Sequence, residues 1–438
     1  LRIVQLTPGA GKMYCGACLR DNALVAALRR LGHSVVMAPL YLPLTLEERD
    51  QSDGAPIFYN GVNVFLDQHS GLFRNAPRWL HNIAGSRTLL NWVARYAAST
   101  KPAKLGEMTI SMLQGEEGRQ ARELDPLLEW LRVEKPDVVC LSNALLVGMA
   151  RRIKSELRVP VFCSLQGEDE FLDALPESHR QRAWQVAAQR AADVDLFIAP
   201  SKYFGDLMQK RLNLADDQVR VLYNGIHLDG YDAAPLANSP PVIGYLARMC
   251  REKGLEPLVE AFILLKQRDR IKGARLHIAG SCGPSDQPFV DRLRQRMQSA
   301  GVLADVEFHP NLSREQKQAF LRSLSVFSVP AIYSEAFGMY VIEAMAAGVP
   351  VVQPRHAAFP ELLAHTGGGI LCSPNDPDSL SQSLEDLLAD PQRSQALARS
   401  GRRAIFENFD VNKMAADFAA LCNTTPRDAS LRLARAVA

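Results

Sequence analysis

Nowhere in the chain do about 18 apolar residues run uninterrupted, which argues against a membrane-spanning helix. Surplus charge is also nearly missing: 50 Lys and Arg against 48 Asp and Glu leave a formal net charge of +2. A balance that close to neutral removes any bulk electrostatic case for nucleic acid as a partner. The first apolar stretch, Leu1 to Leu6, is too short for the core of a signal peptide and leads straight into a glycine turn. No short fixed period recurs, so a solenoid is excluded. The eight cysteines are scattered, several inside apolar runs such as "VVCLS" and "VFCSL". That usage fits buried thiols in a reducing compartment better than a disulfide framework, and the cytoplasm is the expected location. What is present is ordinary globular material, 47% hydrophobic and 22% charged over 438 residues. That length provides for roughly two to four domains.

Short apolar runs alternate with amphipathic stretches almost throughout, the signature of βα units and parallel sheets. In the first half strands are expected at Ile3–Leu6, Ser34–Ala38, Val138–Leu141, Val161–Ser164 and Leu196–Ala199. In the second half they are expected at Val242–Leu246, Arg275–Ala279, Val306–His309, Val326–Val329 and Val349–Val352. "DNALVAALRRLGH" places Leu24, Ala27, Leu28 and Leu31 on one helical face, with Gly32 where a C-terminal cap belongs. "HLDGYDAAPLANSPPV" reads as a linker between two doubly wound domains. Residues 71–100 break the rhythm with Phe73, Trp79, Trp92 and Arg74, Arg78, Arg87 and Arg95. Two readings stand for that segment: helices packed on the first domain, or an acceptor-side or membrane-surface element.

The richest stretch is "SVFSVPAIYSEAFGMYVIEAMAAGVPVV", which reads as strand, loop, helix, a stop at Gly348, Pro350 and another strand. A helix starting near Phe337 or Gly338 would turn its first amides and its positive dipole end toward an anion. In a doubly wound sheet that point lies at the carboxyl edge of the strands, where such folds bind ligands. Glu343 falls in the apolar run Met339 to Ala347, where an unpaired carboxylate is costly.

Here the sequence resembles the retaining GT-B glycosyltransferases of family 4, the group of glycogen synthase and sucrose-phosphate synthase. The resemblance rests on Glu335-x7-Glu343 and on supporting pieces in the family's order: "VLYNGIH", "GYLARMCREKGLEPLVEAF", "LHIAGSCGP", "VEFHPNLSREQ" and "FPELLAHTGGGILCSPNDPDSL". It implies an α/β GT-B fold, two Rossmann-like domains facing each other across a cleft. Residues 1–228 would form the acceptor-side domain, 229–241 the linker and 242–408 the donor-binding domain. Residues 409–438 would be a helical segment capping the second domain or crossing back to the first.

The resemblance further implies transfer of a sugar from a nucleotide-diphosphate donor, UDP-glucose by family precedent, with retained anomeric configuration. No cofactor is implied, and no metal; in the front-face mechanism the leaving phosphate itself takes the acceptor proton. By the match, Arg248 and Lys253 sit on the diphosphate and Glu335 holds sugar hydroxyls. The amides around Ala336, Phe337, Gly338 and Met339 face sugar and phosphate, and Glu343 accepts from the ribose hydroxyls. Gly280, Asn311 and Leu312 belong to the donor loops. Gly11 and Lys12, in "TPGAGKMYCGAC", would approach the diphosphate across the cleft. The acceptor would be a carbohydrate, a small molecule or a lipid-linked sugar, with peripheral contact at the inner membrane face through residues 71–100.

One departure stands out. Family members usually carry a His after the strand at Val161, and this chain has Gln166 there in "VFCSLQGEDEF". Gln can hydrogen-bond a hydroxyl or phosphate but cannot shuttle a proton. Glu168 and Asp169 are then either acceptor-side groups or part of a solvated loop. Asp193-Val194-Asp195 has the spacing of a metal clip, but it opens an apolar strand and is expected to be structural. "GAGK" lacks the Ser or Thr of a phosphate loop, since Met13 follows Lys12. Cys15 and Cys18 lack the setting of a redox pair. His33, His69, His179 and His277 show no metal-ligand spacing among themselves. The alternatives to a transferase are a sugar-nucleotide-binding sensor and an epimerase.

Overall fold

Val138–Leu141, Val161–Ser164 and Leu196–Ala199 are buried at every position. Strands of that kind belong inside parallel sheets covered by helices on both faces. The computed structural model describes residues 1–9, 16–44, 49–52, 54–58, 105–232 and 240–424. Gly11, Lys12, Cys15 and the Trp- and Arg-bearing segment 71–100 lie outside the described residues.

The chain divides into two units, Leu1–Tyr223 with the chain from Asn412 onward, and Asn224–Val411. In the first unit the strands are β1 (Arg2–Thr7), β2 (Ser34–Pro39), β3 (Val138–Leu141), β4 (Val161–Ser164), β5 (Leu196–Ala199) and β6 (Val219–Val221). They form one sheet in the order β2-β1-β3-β4-β5-β6, every pair parallel. Ile3 of β1 lies opposite Val35 on one side and Val138 on the other. The second unit holds β7 (Val242–Leu246), β8 (Arg275–Gly280), β9 (Val306–Pro310), β10 (Val326–Phe327), β11 (Val351–Pro354) and β12 (Gly369–Cys372). Their order is β12-β11-β10-β7-β8-β9, again all parallel. Both sheets are Rossmann-like, and both reverse direction beside their first strand: between β1 and β3, and between β7 and β10. Such switch points open crevices at the carboxyl ends of strands.

The expected strands all form: β1, β2, β8 and β9 are longer by a residue at one or both ends, β10 ends two residues early and β11 is shifted by two. β10 keeps ladder pairing over two residues because the chain turns soon afterwards, Ala331 N–H bonding Val329 O at 2.8 Å. β11 starts at Val351, two residues late, because the helix Met339–Ala346 closes first. Gly348 N–H bonds Met345 O and Val349 N–H bonds Ala344 O, the paired bonds of a Schellman stop. β6 and β12 carry no strong apolar run: β6 is largely exposed and holds Arg220, and β12 opens on Gly369. The helix Val411–Thr424 buries Met414, Ala415, Phe418 and Ala419. Arg30 Nη2 donates to Asn412 Oδ1 at 3.0 Å at its start. All seven described cysteines are free thiols. No helix among the described residues is long and apolar enough to cross a membrane.

Candidate active site

In the second unit the loops after β7, β8, β9 and β10 leave the sheet side by side, and backbone hydrogen bonds knit them together. Met249 N–H bonds Ser281 O, Asn311 N–H bonds Gly280 O, and Ile332 N–H bonds Glu252 O, each at 2.9 Å. Two glycines permit this closeness. A Cβ on Gly254 would sit 1.8 Å from Pro330 O, and one on Gly280 would sit 1.8 Å from Ala247 O, and both residues have positive φ. Any side chain there would push the loops apart.

The knitted loops place Lys253, from beyond β7, against Glu335, from beyond β10, at the switch point. Glu335 Oε2 accepts from Lys253 Nζ at 2.9 Å, from Tyr333 O–H at 2.6 Å and from Tyr340 O–H at 2.7 Å. The ammonium also lies 4.6 Å from the Tyr333 ring centre and 5.4 Å from that of Tyr340. Burial pushes the Glu335 carboxyl upward, but Lys253 and the two phenols outweigh it and hold its pKa below the usual carboxylate value. Burial and the neighbouring Glu335 charge push the Tyr340 phenol well above its ordinary range. All three donors converge on Oε2, and no donor among the described residues reaches Oε1.

Glu343 repeats the pattern. Gly338, at φ 94°, starts the helix Met339–Ala346 and sets Glu343 in its second turn. Lys317 Nζ donates to Glu343 Oε1 at 2.8 Å and Tyr231 O–H does so at 3.3 Å. No donor among the described residues reaches Oε2. The half-buried carboxylate is therefore paired on one oxygen, and its other oxygen has no donor among the described residues. Ala336, Phe337 and Gly338 are buried beside it and Met339 is half-buried.

Arg248 lies on the loop after β7, ahead of Lys253. Its guanidinium forms a two-pronged pair with Asp286, Nε to Oδ2 at 3.1 Å and Nη2 to Oδ1 at 2.8 Å. No hydrogen bond or ion pair joins it to Lys253 or Glu335. Asp286 also accepts from Gly283 N–H at 3.1 Å. Arg248 is thus oriented with part of its fork facing solvent, its side chain 56% exposed. Asn311, at φ 57°, turns Oδ1 toward Cys282 N–H at 3.4 Å; Leu312 beside it is half-buried. Sequence reasoning missed Asp286, Tyr333, Tyr340, Lys317 and Tyr231. The one available signal was two tyrosines flanking Glu335, at Tyr333 and Tyr340.

The switch point of the first unit holds a second polar cluster, again missed. Asp21 is fully buried and accepts from Gln5 Nε2 at 3.2 Å, Arg20 Nη1 at 3.1 Å and the Ser142 hydroxyl. Burial raises its pKa, with Arg20 and Ser142 opposing. Gln166 joins here: its Nε2 donates to Ser142 O at 2.7 Å and lies 3.4 Å from Asp21 Oδ1. Glu168 and Asp169 are both buried, 4% and 6% exposed, which corrects the solvated-loop reading. Glu168 accepts from Ala144 N–H at 2.7 Å and Gln166 N–H at 2.9 Å, tying the turn after β4 to the one after β3. Burial pushes its carboxyl up to about 7 despite those amides. Asp169 is raised by burial as well, and its Oδ1 is buried without a partner among the described residues. The Asp193 and Asp195 pair is used structurally: Arg151 Nε bonds Asp193 at 3.1 Å and Lys154 Nζ bonds Asp195 at 2.9 Å.

Comparison with known proteins fits this geometry. Residues 232–404 match the family described as Glycosyl transferases group 1, and residues 110–229 match Glycosyltransferase Family 4. These are the two halves of a GT-B glycosyltransferase of the family-4 type. An uncharacterized glycosyltransferase of Methanocaldococcus jannaschii is 24% identical over 314 residues, covering 67% of this chain and 77% of that protein. Glycogen synthase of Mycobacterium tuberculosis is 28% identical over 295 residues, covering 64% and 67%. A GDP-mannose-dependent phosphatidylinositol monomannoside mannosyltransferase of Mycolicibacterium smegmatis is 29% identical, and the chain spans about half (47%) of its length. Among solved structures, sucrose-phosphate synthase from Thermosynechococcus elongatus superposes with a TM-score of 0.69 at 18% identity, covering 96% of this chain and 98% of that one. Anabaena HepE in complex with UDP gives 0.68 at 18% identity, covering 97% and 100%. At those identities the glycosyltransferase likeness in structure speaks for the fold.

Proposed function

We propose that the protein moves a glycosyl group from a nucleoside-diphosphate sugar to a hydroxyl acceptor, with retention of anomeric configuration and without a metal ion. The observation that carries this reading is the matched pair of glutamates at the second switch point. Each has one oxygen held by a lysine and at least one tyrosine, and the other without a donor among the described residues. An open carboxylate oxygen accepts hydroxyl hydrogen bonds, so Glu335 suits the sugar and Glu343 the ribose.

The leaving diphosphate gains negative charge as the glycosidic bond breaks. Donors already aimed at that charge stabilise the transition state more than the bound donor. Lys253, the exposed side of the Arg248 fork and the first-turn amides of the helix from Met339 are those donors. Lys253 is already oriented by Glu335 and two phenols, so little reorganisation accompanies the charge shift. Gln166 carries no proton in or out; it positions a hydroxyl while the departing phosphate takes the acceptor proton. UDP-glucose is the first donor to test, supported by the glycogen synthase likeness and by the UDP and UDP-glucose bound in HepE structures. GDP-mannose is the second, from the mannosyltransferase likeness. The acceptor is a carbohydrate, an inositol-type small molecule or a lipid-linked sugar, as in the relatives.

The test is a panel of nucleotide sugars with chelator present throughout. Release of UDP or GDP from one donor, abolished in Glu335→Ala, supports the transferase, and the anomeric configuration of the product by NMR tests retention. Tight binding without turnover would make the protein a sugar-nucleotide sensor. Activity that appears only on adding Mn²⁺ would overturn the metal-free mechanism.

A further inference from the structure

We propose that His277, Glu307 and His309 form a binding site for a divalent cation of the zinc class, at the outer edge of the second sheet. Linear spacing hides the site, because strand pairing assembles it. His277 of β8 lies opposite Glu307 of β9, and His309 follows two residues on, opposite Ala279. Alternation along the strands puts all three side chains on one face, and the small Ala279 leaves room for the His309 ring.

The three side chains converge without bonding one another. His277 Nε2 lies 3.7 Å from Glu307 Oε1, and His309 Nε2 lies 3.5 Å from Glu307 Oε2. Both distances are too long for hydrogen bonds. Both Nε2 atoms are buried with no hydrogen-bond partner among the described residues, a condition that folded proteins rarely leave in place. The ligand atoms of the three residues all lie within 4.8 Å of one another. Ligands about 2.0–2.1 Å from a tetrahedral zinc stand roughly 3.3 Å apart. Small side-chain shifts therefore close the triad on a cation. Two imidazoles and a carboxylate suit zinc or cobalt better than calcium or magnesium, which favour oxygen shells.

The surroundings fit. Phe320 packs edge-on against His309 with ring centres 5.6 Å apart, fixing that ring. Glu307 is half exposed, which leaves water access to a fourth coordination position. Arg275 Nη1, 3.9 Å from Glu307 Oε1, is the other charged group recorded on the carboxylate, and its half-exposed side chain is free to turn into solvent. Two residues beyond His309, Asn311 holds the loops that carry Gly280. A cation here would tie the edge strand to β8 directly beneath those donor loops.

The test uses the full chain, stripped with a chelator and desalted, then titrated with Co²⁺ by visible absorption and with Zn²⁺ by calorimetry. The expected result is a single equivalent bound, with the Co²⁺ band of a low-coordinate site, displaced by Zn²⁺, and a thermal midpoint that rises with Zn²⁺. His277→Gln and His309→Gln should each abolish the band and the midpoint shift. His179→Gln, whose ring sits beside Glu107 in the first unit, should keep both. Circular dichroism without metal establishes that each variant is folded. If either histidine variant fails to fold, Glu307→Gln decides, with affinity expected to fall at least ~10-fold. A Co²⁺ band or a Zn²⁺ affinity unchanged by these substitutions, or no binding by the parent protein, overturns the proposal.

Discussion

The two sheets share a topological device and put opposite chemistry on it. At the switch point of the second unit, Glu335 is held ionised by Lys253 and two tyrosines, its pKa lowered against the pull of burial. At that of the first unit, Asp21 and Glu168 are buried deeply enough that their pKa values rise. One crevice is a fixed field of charge; the other is a hydrogen-bonded scaffold built around Gln166 and Ser142. The difference matches the two halves of the proposed reaction. A diphosphate leaving group needs charge that is already in place. A neutral hydroxyl needs orientation. Similar backbone topology thus says little about which task a crevice performs, and the carboxylate environments say more.

Substitutions can break this contrast at its strongest point first. Asp21→Ala removes the carboxylate beside Arg20, whose side chain is only 3% exposed. Breaking a buried pair on one side is expected to cost about 3–5 kcal/mol of stability. Urea unfolding of the whole chain reads it, and a loss below ~1 kcal/mol would mean that the cluster is not a structural scaffold. Next, Glu335→Gln should lower kcat/KM for nucleotide-sugar turnover by about 10²–10³-fold while leaving the fold intact. An unchanged rate would remove Glu335 from the site.

The opposite pKa shifts give a third handle. Glu168 has a folded-state pKa of about 7 against an ordinary value of 4.5. The native state therefore binds the extra proton, and the associated stability is full below 4.5 and lost as pH rises through about 7. The effect is roughly 3 kcal/mol in size, and Glu168→Gln should flatten it. Parallel stability–pH curves for the two proteins would refute the assignment. Glu335 has the reverse sign: its contribution is present above its ordinary value and is lost only as pH falls through the lowered folded one. The smallest expected effect is that of Lys317→Met, which leaves Glu343 Oε1 with the longer Tyr231 hydrogen bond alone among the described donors. KM for the donor should rise about 5- to 10-fold with kcat little changed, an effect of about 1 kcal/mol. A fall in kcat with KM unchanged would move Glu343 from ribose binding to the chemistry.

Much of this arrangement was legible in the residues. β3, β4 and β5 are apolar and buried at every position, so their sequences announce them. β6 and β12 were not legible, because the exposed positions of the one and the glycine start of the other leave no pattern to read. Glu335, Glu343 and Lys253 were found through a resemblance spread over several segments. The partners of Glu343 were not, because Lys317 and Tyr231 come from a helix and a loop that only folding brings close. Arg20 and Asp21 did leave a trace. They interrupt a helix, Gly16–Arg30, that is buried around most of its girth, and consecutive charges in such a helix mark a built polar cluster. Arg248 shows the converse: the motif singles it out in sequence, yet Asp286 decides which way its fork points.

The chain leaves the first unit at Tyr223 and returns at Asn412, and the two crossings are joined where Ile226 N–H bonds Phe409 O and Val411 N–H bonds Ile226 O. This has a consequence for the order of events on the ribosome. Every strand of the second unit is synthesised before the helix that supplies Met414 and Phe418 to the core of the first. The later-made unit can close first, while the earlier-made one waits with an apolar seam uncovered. The protein's first half is the last to be finished, and a chain cut short before Met414 would be expected to fail there rather than at the donor crevice.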